Sequence, residues 1–147
     1  MVARSKKSSS KSVKADTSTA SKSSQKGRKI LVMEDEPILS QALTIELNSY
    51  GYEVSVADNG EDGMNMLYKN PPDLLLLDLL MPKKNGYEVL QELKSKKLFG
   101  KMKVIVFSNL GQEEEKKKAI ALGAKHFFVK SAIDLEDLVA FIQKLLK

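Results

Sequence analysis

Leu74-Leu75-Leu76-Leu77-Asp78 decides the fold of this chain. Four consecutive bulky apolar residues leave no polar side to face water, and the run is too short for a buried helix. It reads as a strand covered on both faces, the kind that parallel sheets between helical layers require. The run stops abruptly at a carboxylate. Three other apolar runs stop the same way: residues 30–33 at Glu34-Asp35, 104–107 at Ser108 and 127–129 at Lys130. Helical patterns lie between the runs, so the strands should be parallel and their C-terminal ends should share one sheet edge. Ligands of open α/β sheets bind at that edge. Three carboxylates, a hydroxyl and an ammonium group are thus expected to meet there.

The intervals support this order. Pro37 suits a helix start, and Leu39, Ala42, Leu43 and Leu47 recur at helical spacing until Tyr50-Gly51. Residues 54–57 alternate apolar with polar, as a half-exposed edge strand should. A weak helix is expected over 61–69, with Gly63 inside it, and another over 87–96 after the loop 81–86. Glu113, Glu114 and Glu115 precede Lys116, Lys117 and Lys118 at pairing distance on a charged helix closed by Gly123. Leu135, Leu138, Val139, Ile142, Leu145 and Leu146 form one stripe of a terminal helix, with Phe141 on a second apolar line. The expected class is α/β, a flavodoxin-like (βα)5 three-layer sandwich with parallel strand order 2-1-3-4-5. Its first and third strands meet at the topological switch point.

Composition divides the chain. Residues 1–28 are dense in Ser, Lys and Thr and poor in bulky apolar side chains, so a disordered basic N-terminal tail is expected there, with the domain occupying 29–147. Residues 1–29 carry nine Lys/Arg against one acid, Asp16, which leaves 15 basic and 18 acidic groups for the remainder. The tail could touch nucleic acid or another acidic partner through screened attraction. The absence of cysteine excludes thiolate metal sites and Cys-His catalysis, and a single histidine, His126, speaks against zinc sites and Ser-His catalysis. No segment has the length and apolarity of a membrane span or a secretory signal, so a cytoplasmic protein is expected. Asp58-Asn59-Gly60 superficially resembles a calcium loop, but position 12 of that register is Lys69.

Crowded carboxylates repel one another, and a divalent cation removes the conflict. Oxygen donors alone favour a hard ion, and Mg²⁺ suits a site that also keeps waters and a phosphate oxygen. Asp78 could then attack a phosphoryl donor, with Lys130 as countercharge and Ser108 as hydrogen-bond donor, to give a labile aspartyl phosphate.

Ile30-Leu31-Val32-Met33-Glu34-Asp35-Glu36-Pro37, Leu77-Asp78-Leu79-Leu80-Met81-Pro82, and Gly123-Ala124 through Val129-Lys130 together resemble the receiver domain of bacterial two-component response regulators, over 29–147. The resemblance implies a phosphoacceptor regulatory domain, not an enzyme. It makes Glu34 and Asp35 the acidic pair holding Mg²⁺, Asp78 the phosphoacceptor, the Leu80 backbone carbonyl a further metal ligand, Ser108 the switch hydroxyl and Lys130 the phosphate contact. Implied partners are a sensor histidine kinase or phosphotransfer protein, a downstream protein and a second copy of the phosphorylated chain. Signalling is implied through the face of the fourth helix, fifth strand and fifth helix. A single-domain regulator without an output domain is expected.

Several positions depart from the family pattern. Glu34 stands where Asp is usual, and Phe127 occupies the place of the switch tyrosine. Ser131 replaces the proline that usually follows the lysine. A cis bond there without proline would cost about 2.5–4 kcal/mol, so a trans or rearranged loop is expected. Leu80 and Leu110 are expected to make the pocket rim apolar.

Two rival readings compete with this one. A haloacid-dehalogenase-like aspartate phosphohydrolase would use Asp35 as nucleophile, but its second aspartate would fall on Pro37. An inactive receiver scaffold would act through its basic tail on nucleic acid.

Overall fold

The computed structural model describes residues 27–147. The expected tail therefore lies almost wholly outside the described residues. Gly27 and Arg28 are already tied down: the Gly27 N–H donates to the Gly51 carbonyl at 3.4 Å, and the Arg28 carbonyl accepts from the Glu53 N–H at 2.8 Å.

Five strands alternate with five helices: β1 Lys29–Met33, α1 Pro37–Asn48, β2 Glu53–Ala57, α2 Gly60–Lys69, β3 Leu74–Leu77, α3 Gly86–Ser95, β4 Lys103–Ser108, α4 Glu113–Ala121, β5 His126–Val129 and α5 Leu135–Leu145. Short 3₁₀ turns cover Phe99–Lys101 and Lys130–Ala132. The sheet is parallel throughout, in the order β2-β1-β3-β4-β5, as the apolar runs require.

Alternation along each strand feeds two separate cores. Leu31, Met33, Leu75, Leu77, Val104 and Val106 pack with α2, α3 and Ala119 of α4. Ile30, Val32, Leu74, Leu76, Ile105 and Phe107 pack with Leu43 and Leu47 of α1 and with Leu138, Val139 and Ile142 of α5. Hence three layers form, with α1 and α5 on one side and α2 to α4 on the other. All four leucines of β3 are buried, each worth about 1.5–3 kcal/mol relative to exposure.

Four local features refine the expectations. β5 is not covered like β3: its four residues are only half-buried, because it is an edge strand with no neighbour beyond it. Gly63 also has a packing reason. A Cβ there would come within 2.6 Å of the Met33 sulfur, so any side chain would force the buried Met33 side chain to shift. Asn59 caps α2, its side chain accepting from the Asp62 N–H at 2.8 Å, which accounts for the calcium-like run. Phe141 is packing: its ring meets Phe128 edge-on at 4.9 Å and His126 at 5.1 Å.

Candidate functional site

Strand register builds the site. Met33 pairs with Leu77, and Leu77 with Val106, so Glu34 and Asp78 leave adjacent strands at the same level. The Asp78 N–H donates to the Met33 carbonyl at 3.0 Å and the Glu34 N–H to that of Ala57 at 2.9 Å, extending the ladders by one residue. Ser108 pairs with Val129, which puts Lys130 one step further along the same edge.

Glu34, Asp35 and Asp78 bring carboxylate oxygens within 4.8 Å of one another, with Asp35 exposed and the other two buried. Such a donor set, all oxygen and anionic, could hold a hard cation. Lys130 bridges three of the acids, its Nζ lying 2.8 Å from Glu34 Oε1, 2.9 Å from Glu36 Oε1 and 3.1 Å from Asp78 Oδ2. Burial opposes the Lys130 charge, but the hydrogen bonds from its ammonium to Glu34, Glu36 and Asp78 outweigh this and raise its pKa. Burial pushes Glu34 up to about 7; Asp78's negative charge adds to the rise and the Lys130 hydrogen bond opposes it. Two buried acids and one half-buried cation leave an excess of negative charge when both acids are ionised, which a bound cation would relieve.

The loop after Asp78 is fixed by hydrogen bonds. The Leu80 N–H donates to Asp78 Oδ1 at 3.3 Å, and the Gly86 N–H to the Leu79 carbonyl at 3.0 Å. Asn85 and Glu88 form a capping box at the start of α3. Lys84, further along the same loop, pairs with Glu92 of α3. Lys83 holds a left-handed φ of 68° in the turn.

The remaining sequence-derived positions lie at the same edge. Ser108 is fully buried, and its hydroxyl accepts the Leu110 N–H at 3.3 Å. Phe127 is half-buried against the α2–α4 core. Leu80 is 54% exposed, at the rim, whereas Leu110 packs partly into the core. Lys130 and Ser131 turn directly into the 3₁₀ segment, and all peptide bonds among the described residues are trans. Glu36 was not foreseen. Its signal was present, since it extends the acidic pair by one residue, but only the fold shows that a lysine 94 positions away reaches it.

The sequence model of the response regulator receiver domain matches residues 30–143. The chain belongs to this family. Among curated relatives, the DNA-binding dual master transcriptional regulator RpaA of Synechocystis sp. is 32% identical over 119 residues, covering 81% of this chain and 49% of the relative. The probable transcriptional regulator ycf27 of Porphyra purpurea is 36% identical over 102 residues, covering 69% and 41% respectively. This receiver domain thus spans about half the length of the curated relatives it matches. Among solved structures, a LuxR-family DNA-binding response regulator from Staphylococcus aureus superposes with a TM-score of 0.74 at 29% identity, over 82% of this chain and 99% of that one. The phosphorylated cyanobacterial phytochrome response regulator RcpA gives 0.68 at 31% identity, over 80% and 90%. As a receiver domain the chain has a regulatory role. No helix among its described residues is long and apolar enough to cross a membrane.

Proposed function

We propose that this receiver domain accepts a phosphoryl group on Asp78 from a histidine kinase or phosphotransfer protein, with Mg²⁺ held by Glu34, Asp35, Asp78 and the Leu80 carbonyl. One observation carries the reading: the buried Asp78 carboxylate sits between a lysine ammonium at 3.1 Å and two further carboxylates, at the C-terminal edge of the sheet. RcpA, a relative of similar fold, is itself phosphorylated in its solved structure. The same geometry weighs against the phosphohydrolase reading, because Lys130 contacts Asp78, whereas Asp35 is exposed.

An oxygen of Asp78 attacks phosphorus in line with the bond to the donor nitrogen or oxygen. A P–O bond forms as the donor bond breaks, and the donor leaves with the electron pair. Lys130 supplies countercharge to an equatorial oxygen, and Ser108 turns its hydroxyl proton toward another. Phe127 fills the space that a moving Ser108 leaves. Bound Mg²⁺ supplies charge neutralisation for the acids and the transferring group. The face of α4, β5 and α5 then carries the signal to a downstream protein or a second copy of the chain. An acyl phosphate should give a base-labile protein adduct with Mg²⁺ and none without it. Absence of adduct at millimolar Mg²⁺ would overturn the proposal.

Ionisation of Glu34 sets a pH dependence. Its folded pKa of about 7 lies above the ordinary 4.5, so between these values the metal-free folded state holds a proton that the unfolded state has lost. This contribution to stability is full below pH 4.5 and disappears as pH rises through 7. Mg²⁺ needs the ionised form, so its affinity should climb by up to about tenfold per pH unit below 7 and level off above. Calorimetric titration from pH 5.5 to 8 checks this; a flat profile contradicts it.

The apolar rim should slow hydrolysis of the phosphoryl group by hindering water. Replacing Leu80 with Asn and Leu110 with Glu is expected to speed dephosphorylation severalfold in a phosphate-release assay. An unchanged decay rate would show that the rim plays no part.

A further inference from the structure

A cavity of about 490 Å³ opens at the sheet edge opposite the phosphoryl site. It forms where β4 and β5 begin: Lys101, Lys103, Lys125 and His126 line it, with Arg28 at the entry to β1, Asp73 just before β3 and Lys147 beyond α5. Five cationic side chains thus face one side-chain carboxylate, and that carboxylate is already engaged, since Asp73 Oδ2 accepts the Lys29 N–H at 2.7 Å. None of the five cations forms a salt bridge among the described residues. Four of the five, all but Arg28, come from residues 30–147, where acids outnumber bases 18 to 15. The positive field reaches the neighbouring imidazole: burial first, then Lys103 and Lys125, push the His126 pKa down.

Like charges around a concavity focus potential into it and attract an anion. A single carboxylate would leave most of this charge unmatched, whereas a phosphate chain presents several acceptor oxygens to Lys and Arg donors at once. The volume suits a ligand of nucleotide size.

We propose that this basic cavity binds a multiply charged phosphate ligand, presented either as a free polyphosphate group or as a nucleic-acid backbone. Binding there is independent of Asp78 chemistry. The test is a titration of the full chain in Mg²⁺-free buffer with inorganic triphosphate and, separately, with a single-stranded oligonucleotide, followed by backbone amide NMR. Shifts should concentrate at residues 101–103 and 125–126. Lys103→Glu/Lys125→Glu should weaken binding tenfold or more, while Lys116→Glu/Lys117→Glu on α4 should leave it unchanged. Binding of triphosphate alone identifies a free phosphate ligand; binding of the oligonucleotide at the same amides identifies a nucleic-acid backbone. Each upholds the site. The site is overturned if neither probe moves these amides, if shifts are confined to residues 1–26, or if the Lys103/Lys125 variant binds like the wild type.

Discussion

Asp78→Asn is expected to abolish phosphoryl incorporation from an acyl phosphate, down to the background of the uncatalysed reagent. An amide oxygen is a poor nucleophile, and no neighbour can take over: Glu34 is held by Lys130 at 2.8 Å, and Asp35 lies exposed without that ammonium beside it. The fold should survive, since the side chain is nearly isosteric and Lys130 keeps both Glu34 and Glu36. A second effect accompanies the loss. Asp78's charge adds to burial in raising the Glu34 pKa, so the variant should titrate Glu34 below the wild-type value of about 7. Carboxyl-detected NMR reads that shift, and an adduct persisting at wild-type level would refute the role given to Asp78.

Gly86→Ala is expected to damage both the fold and the site. A Cβ at this first residue of α3 would lie 2.4 Å from the Asp78 carbonyl oxygen and 2.6 Å from the Leu79 Cα. Both are backbone atoms that cannot rotate aside, so the turn must shift and lose its 3.0 Å bond to the Leu79 carbonyl. Overpacking of this kind costs about 1–3 kcal/mol and at times more. Because the displaced segment carries Asp78 and Leu80, Mg²⁺ affinity should fall as well. Gly100→Ala is the control: a Cβ there would have nothing within 4 Å, and little change is expected. Chemical denaturation of both variants measures the difference. Equal midpoints would show that the Gly86 turn is not tightly determined.

How much could be read from the sequence depended on whether the signal was local. The Leu74–Leu77 strand announced itself because a strand buried on both faces needs uninterrupted apolar side chains. The strand ends followed, and with them Glu34, Asp35, Asp78 and Lys130, which the fold brings together. β5 is only half-buried although its apolar run resembles that of β3, because the expected order 2-1-3-4-5, which the structure shows, makes it an edge strand. Gly63 looked like a helix defect because its reason, the Met33 sulfur, lies on another element. The contact of Glu36 with Lys130 and the basic cavity were invisible for a related reason: their members are scattered along the chain, and only the shared ends of the sheet bring them together.

The most direct test of the account is to locate the phosphoryl group. The acyl-phosphate-treated protein, reductively trapped with borohydride, should be digested and sequenced by mass spectrometry. Modification at Asp78 is the predicted result; modification at Asp35 or Ser108 instead would contradict it.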